Sequence, residues 1–262
     1  MDLELRDKVA LVAAASRGLG KAAALALARE GASVAICSRG EQILATQAEI
    51  ESQTGRACLG VIADLTRPAD IDRLVRETLA HFGRIDILIL NAGGPPPGGF
   101  MALGDAEWQE AFNLTVMSAV RLCRAVLPAM LERGSGSIVA SLSYSVKQPI
   151  DNLILSNSLR LAVIGMLKSL AAEVGRRGVR VNAINPGWTW TERVRTLLDD
   201  RARRAGTTVE AEQAKLAAEI PLGRMGTVEE YGKVVAWLAS PAASYIHGQA
   251  IFFDGGITRA SL

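Results

Sequence analysis

The chain predicts an α/β fold built on a seven-stranded parallel sheet with helices on both faces, in three layers. Three observations carry the prediction. Short apolar runs rich in β-branched residues alternate with longer stretches of helical period. The runs are apolar on both sides, so they need cover on both faces. No Pro/Gly/Ser-rich linker or charge run divides the 262 residues, a length at which one domain buries most of its unfolded surface.

The elements follow in order. Val9 to Ala14 predicts the first strand, Leu19 to Glu30 a helix, Ser33 to Cys37 the second strand and Glu41 to Gln53 a second helix. Further strands are expected over Ala57 to Ile62, Ile85 to Leu90, Ser137 to Leu142, Arg180 to Ile184 and Ala250 to Phe253, with helices between them. The helices near Trp108 to Leu131 and Leu153 to Val174 carry more apolar residues than one face against a sheet requires, which predicts a homodimer or homotetramer. Two segments break the rhythm. Gly93 to Gly99 is so rich in proline and glycine that it cannot be regular helix or strand, and it follows a strand end, where open α/β sheets place ligands. The polar stretch from Thr191 to Ile220 predicts a helical lid over a cleft, or a solvated excursion packed on the rim.

Composition narrows the partners. Lysine and arginine total 29 against 27 acidic residues, so no global field attracts nucleic acid or anionic lipid. Cys37, Cys58 and Cys123 are odd in number and lack CxxC spacing, which points away from a disulfide framework or thiolate metal site and toward a reducing cytoplasm. His81 and His247 have no carboxylate or cysteine at ligand spacing, so no metal centre is expected and both read as surface or packing residues. The N-terminus is acidic and mixed, unlike a signal peptide, and no apolar run is seen to approach the roughly 18 residues of a membrane span, so no membrane partner is expected.

The chemistry-bearing residues begin at the first strand's end. Ser16-Arg17-Gly18-Leu19-Gly20 turns straight into a helix, so backbone N–H groups and the helix dipole can meet a pyrophosphate. The second strand ends in Cys37-Ser38-Arg39 without an acid for a ribose 2′-hydroxyl. Ser38, Arg39 and Arg17 can instead take a 2′-phosphate, because guanidinium pairs bidentately with phosphate. NADP(H) is therefore expected, with NAD(H) as the alternative if both arginines are solvated surface charges.

These motifs, with Asn185-Pro186-Gly187 and Asp254-Gly255-Gly256, resemble the short-chain dehydrogenase/reductase family over almost the whole chain, and within it the 3-oxoacyl-carrier-protein reductase branch. The resemblance implies a Rossmann-type, doubly wound single domain and an oxidoreductase acting on a small carbonyl or secondary alcohol. It assigns Asp64 and Leu65 to the adenine, and Asn91-Ala92-Gly93 to the adenine ribose. Pro186-Gly187, Thr189 and Thr191 are assigned to the nicotinamide carboxamide. The family's first turn glycine would stand at Ala14, whose Cβ costs about 1 to 2 kcal/mol if the backbone there must be left-handed.

Asn113 matches the family's catalytic asparagine and Ser143 its serine. Thirteen positions after Ser143, where the family carries its tyrosine, stands Ser156; four further, in place of the lysine, stands Arg160. The i,i+4 pair shares one helix face, and Arg160 keeps a positive charge for the ribose. An aliphatic hydroxyl is a far weaker acid than a phenol, and losing a positioned acid removes about 10² to 10⁴ in rate. Two substitutes are expected: Tyr144, with Lys147 nearby, or a water held by Ser143, Ser156 and Arg160. Otherwise Tyr144 is a rim aromatic. Trp188, Trp190, Phe100 and Met101 suggest an apolar pocket. The competing functions are a non-catalytic dinucleotide sensor or scaffold, and a lyase on the same frame.

Overall fold

The computed structural model describes residues 2–260. Its strands are β1 (Val9–Val12), β2 (Ser33–Ser38), β3 (Cys58–Ile62), β4 (Ile87–Leu90), β5 (Gly136–Ser141), β6 (Val179–Pro186) and β7 (Ala250–Phe253), in the spatial order β3-β2-β1-β4-β5-β6-β7. Every pairing is parallel. The chain winds outward from β1 to β3, then restarts beside β1 with β4 and winds the other way. That reversal opens a crevice at the carboxyl ends of β1 and β4, where a doubly wound sheet takes its ligand. The expected Rossmann-type αβα architecture is what the chain forms.

One face is covered by α1 (Gly18–Arg29), α2 (Gln42–Thr54) and α9 (Val228–Ala239), the other by α3 (Pro68–Phe82), α5 (Ser118–Arg133) and α6 (Ile154–Val174). Strand alternation divides the core: Ala10, Val12, Val139 and Ile184 face the first helix layer, while Leu11, Leu88, Ile138 and Ala183 face the second. Local signals set the ends. Pro68 opens α3 at its first turn and Gly83 closes it at φ 76°. A reciprocal capping box between Thr227 and Glu230 starts α9. At the sheet's opposite end, Asp86 is buried and accepts from the Val9 N–H at 2.9 Å and the Arg84 Nε at 3.0 Å, locking β1 to β4.

Three expectations need correction. The first strand stops at Val12 rather than Ala14, because the chain there turns into a left-handed residue. The helix expected over 108–131 starts earlier, as α4 (Asp105–Phe112), and passes through a π-helical turn, Asn113–Met117, before α5. The absence of any span-length apolar run does not hold for the folded helices: α4 through α5 and the helix Ile154–Arg177 are long and apolar enough to cross a membrane by length and composition. Here both pack on the sheet, through Leu122 and Val126 in one and Leu159, Val163 and Leu167 in the other.

The segment 191–220 forms α7 (Glu192–Ala205) and α8 (Val209–Glu219), which pack on each other and enclose a small apolar cluster of Leu198, Leu216 and Ile220 with Tyr144, Trp188, Met225 and Ile257. The three cysteines are buried free thiols, and burial raises the pKa of each.

Candidate active site

The crevice is built from the glycine turn outward. After β1, Ala14 holds φ at +49° and Gly18 at +56°, so the left-handed conformation that makes Cβ costly at position 14 is present. Asn91, just beyond β4, braces this turn: its Nδ2 donates to the Ala13 and Ala14 carbonyls at 3.2 and 3.0 Å. Gly20 lies so close beneath them that a Cβ would stand 2.4 Å from the Ala14 carbonyl oxygen. No side chain caps α1, which leaves first-turn N–H groups free to meet an anion. A bare turn, uncapped donors and a backbone packed to glycine tolerance fit a dinucleotide pyrophosphate. Ser16 shapes the same turn by accepting from Thr46 Oγ1 at 3.0 Å, and Leu19 packs into the core below. Ala14→Gly is expected to remove about 1 to 2 kcal/mol of strain against about 0.5 kcal/mol of added chain entropy. A rise of about 2 °C or more in melting temperature checks it.

At the adenosine end, Ser38 Oγ donates to the Gly40 carbonyl at 3.0 Å, and Arg39 is exposed with no ion pair among the described residues. Arg17 is different from expectation. Its Nη1 meets Glu192, the first residue of α7, at 2.7 Å, both side chains being well exposed, because the glycine turn points it toward α7 rather than toward Ser38. Asp64 follows β3 with Oδ1 engaged by the Thr66 N–H and hydroxyl, at 2.9 and 2.8 Å. Leu65 is buried beside it.

At the other end, Arg160 is buried at 9 % exposure on α6. Its Nε donates to Ser156 Oγ at 3.0 Å, and Nη1 donates to the Leu142 and Ser141 carbonyls at 3.0 and 3.3 Å. Burial, and secondarily the like charge of Arg193, pulls its pKa down to about 10, so it is still a cation at neutral pH. A cleft runs from this guanidinium to Asn91 and Ala92 and is floored by Thr115, Ser118, Leu122 and Val163. The Thr115 hydroxyl is buried there without a partner. Ser143 Oγ accepts from the Ser145 N–H at 3.1 Å, which leaves its own proton free to donate. Asn113 opens the π turn, its carbonyl taking the Ser118 N–H; such turns place side chains off the regular helical register.

Tyr144 is not brought to Ser156 and Arg160. Its ring sits in the apolar cluster beneath α7 and α8, edge-on to Trp188 with centroids 6.3 Å apart, and burial pushes its pKa up to about 12. The next-door position in sequence turns into a short 3₁₀ segment, Tyr144–Val146, which carries the ring to Leu198 and Leu216 of α7 and α8, while Lys147 is solvent-exposed. Trp188 is likewise a packing residue, under the Arg201 guanidinium at 4.8 Å, and Phe100 and Met101 are exposed at 67 and 92 %, so they do not close a pocket.

The segment that the resemblance assigns to the carboxamide follows β6. A Cβ on Gly187 would stand 2.8 Å from Asp254 Cα, so the segment crosses β7's end at a glycine. Thr189 is buried, and Thr191 caps α7 by accepting the Val194 N–H at 3.2 Å. Pro186 ends β6, and Gly93 lies just beyond β4, with β5 between the two strands. Two neighbours escaped the sequence reading: Thr115, concealed by the π turn, and Arg193, whose Nη2 crosses to the Pro95 carbonyl at 2.8 Å. A charged residue in a polar helix gives no sign of such reach.

The family described as Enoyl-(Acyl carrier protein) reductase matches residues 13–258. The 3-oxoacyl-[acyl-carrier-protein] reductase FabG of Escherichia coli (strain K12) is 35 % identical over 97 % of this chain and 99 % of its own. Those matches and the strand-end geometry decide the family. The chain belongs to the short-chain dehydrogenase/reductase (SDR) family of oxidoreductases. A second SDR relative, dehydrogenase/reductase SDR family member 4 of Bos taurus, is 34 % identical over 96 % of this chain and 88 % of its own. Among solved structures, L-sorbose reductase from Gluconobacter frateurii, complexed with NADPH and L-sorbose, superposes with a TM-score of 0.94 at 32 % identity, over 99 % of this SDR chain and all of that one.

Proposed function

We propose that this SDR enzyme moves a hydride between NADP(H) and a carbonyl or secondary alcohol, using Ser156 and Arg160 where its family uses tyrosine and lysine. The observation that carries the reading is the 3.0 Å bond from Arg160 Nε to Ser156 Oγ, made by a buried cation beside a cleft that reaches Asn91. Nicotinamide, when bound, supplies or accepts the hydride. The protein's own groups do the rest. Arg160 withdraws electron density from Ser156 Oγ, whose proton then points away from the guanidinium toward the cleft. Ser156, directly or through one water shared with Ser143, hands that proton to the substrate oxygen. Arg160 offers its remaining N–H groups to the ribose, and Asn113 and Thr115 order water behind it. Tyr144 and Trp188 hold the lid.

The turn from Ser16 to Gly20 would hold the pyrophosphate, Asp64 and Leu65 the adenine, Asn91 to Gly93 the adenosine ribose, and Pro186, Gly187, Thr189 and Thr191 the carboxamide. The NADPH carried by the L-sorbose reductase and the absence of an acid after β2 support NADP(H) over NAD(H). With Arg17 drawn to Glu192, Arg39 and Ser38 are left to take the 2′-phosphate. Arg39→Ala is expected to weaken NADPH about tenfold, near the value of one charge-assisted contact, while leaving NADH within twofold; fluorescence titration measures both.

The test of the function is NADPH consumption across a panel of ketones and acyl thioesters. Slow turnover, at about 10² to 10⁴ below a phenol-driven enzyme, supports it. Tight NADPH binding with no turnover, joined to turnover in a Ser156→Tyr/Arg160→Lys double variant, overturns it in favour of a dinucleotide-binding protein without catalysis. The exposed Phe112 and Leu161, at 38 and 52 % on the outer faces of α4 and α6, support a homodimer or homotetramer, and three buried free thiols suit a cytoplasmic location.

A further inference from the structure

A second cleft opens one helical turn before Ser156. It lies between the loop after β5 and α7, and its apolar lining comes from Pro97, Ile150, Leu153, Trp188 and Leu197. The charged residues around it are mostly engaged: Asp200 pairs with Arg204 at 3.0 Å, and Arg201 lies against the Trp188 ring at 4.8 Å, while Asp151 is exposed. One side chain ties the loop to the helix that carries Ser156. Asn157 Nδ2 donates to the Ile150 carbonyl at 2.9 Å, and its Oδ1 accepts the Ile150 N–H at 3.3 Å. Reversing the amide would set donor against donor and acceptor against acceptor, so its orientation is fixed. Few other bonds shape this wall, because residues 147–153 form no helix or strand. Asn152, at φ +61°, offers its carbonyl to the Gly98 N–H at 2.7 Å, and the Leu153 N–H donates to the Ile150 carbonyl at 3.3 Å.

A wall without regular structure keeps its shape through bonds of this kind. We propose that Asn157 is a positioning residue: its amide holds Ile150 against the first turn of α6, and so sets the size of the alkyl group that the substrate carries beyond its carbonyl. This role rests on the reductase reading above and narrows its substrate class to carbonyl compounds with a short alkyl chain. The helix joins the two parts of the site. Leu153 lines the cleft and stands one turn before Ser156 and Asn157, so a carbonyl oxygen placed at Ser156 directs its far substituent along that wall. Ser156 meets Arg160 at 3.0 Å, whereas Asn157, the next residue, meets the loop. Proton donation and selectivity therefore sit on neighbouring residues of one turn.

The experiment measures NADPH-dependent turnover of 2-alkanones from propanone to 2-decanone, and titrates unreactive primary carboxamides of matching chain length into the NADPH complex by fluorescence. Wild type, Asn157→Ala, Asn157→Asp, Ile150→Ala and the Ile150→Ala/Asn157→Ala double variant are compared below their melting temperatures. In wild type, kcat/KM is expected to peak at one chain length and to fall at least about tenfold by 2-decanone, the scale on which an apolar pocket reads methylene groups. In Asn157→Ala that peak-to-longest ratio drops about tenfold through KM, while kcat on propanone stays within about threefold. Asn157→Asp behaves alike, because a carboxylate cannot donate to the Ile150 carbonyl. Ile150→Ala alone moves the peak to a longer chain, and the double variant stays within about twofold of it, since two residues acting through one contact are not additive. An unmoved ratio in Asn157→Ala overturns the proposal, as does an unmoved peak in Ile150→Ala, a turnover loss uniform across the series, or independent effects in the double variant. If wild type turns over no ketone, the reductase reading fails and the carboxamides decide the cleft. A length preference lost in Asn157→Ala then supports it, and equal profiles or no binding in both proteins overturn it.

Discussion

Arg160→Met is expected to lower kcat by about 10² to 10³, the usual loss of an electrostatic group at the reacting centre, while the melting temperature moves by less than about 3 °C. The two readouts part because the residue is costly to the fold. Burial pulls its pKa down to about 10, so holding the charge at neutral pH costs on the order of a few kcal/mol. Methionine removes that cost and fills the stem's volume. It also strips a donor from Ser156 Oγ and from the Leu142 and Ser141 carbonyls, at about 1 kcal/mol each, and the sums nearly cancel.

The sign of the pH dependence follows from the same shift. A cation whose folded pKa is depressed disfavours the fold at every pH below about 10, and that penalty fades as pH rises from about 10 toward the unfolded value. Wild type therefore gains stability relative to Arg160→Met between about pH 10 and 12. Chemical denaturation of both proteins across that window reads the difference directly. A parallel pair of pH curves, or a turnover loss explained by unfolding, would leave Arg160 a structural residue and remove it from the proton path.

The sheet was legible because its inner strands are short, doubly apolar runs, and burial on both faces leaves them little choice of partner. The cofactor end was legible for a related reason: a glycine turn joining strand to helix has few backbone solutions, and Ala14 at φ +49° adopts the left-handed one despite its Cβ. The catalytic end was less so. Adjacent residues Ser143 and Tyr144 part company because a 3₁₀ turn begins between them, so proximity in sequence gave a false neighbour. The π turn at Asn113–Met117 shifts the register of a helix that periodicity treats as continuous, and thereby hides Thr115. Arg17 and Arg193 were out of reach for another reason. Where a long cation lands depends on the path of α7, and a polar helix with exposed charges has no hydrophobic pattern to fix that path. Arg160 is buried on α6, but its three partners lie at β5's end and one turn away on α6, and only tertiary geometry brings them together.

Gly20→Ala is expected to raise the NADPH Kd by at least about 10² and to lower the melting temperature by several degrees. The added Cβ would lie 2.4 Å from the Ala14 carbonyl oxygen, 2.7 Å from Asn91 Nδ2 and 3.0 Å from Ala15 Cα. None of these can yield cheaply. Ala14 already sits in the left-handed region, Ala15 is tied to β2 through its N–H to the Cys37 carbonyl at 2.9 Å, and Asn91 is fixed by its bonds to Ala13 and Ala14. Forcing a methyl group into packed structure costs about 1 to 3 kcal/mol, and expelling Asn91 loses two bonds at about 1 kcal/mol each. The loss falls on the turn proposed to present its N–H groups to the pyrophosphate, so binding is expected to suffer with stability. Gly40→Ala is the control, since nothing lies within 4 Å of a Cβ there; it should leave NADPH affinity within about twofold. Adding Ala14→Gly to Gly20→Ala should recover part of the affinity, because a glycine at 14 lets the carbonyl rotate away. If the double variant binds no better than the single one, the clash is not what governs the site, and the bracing role of Asn91 would have to be tested alone.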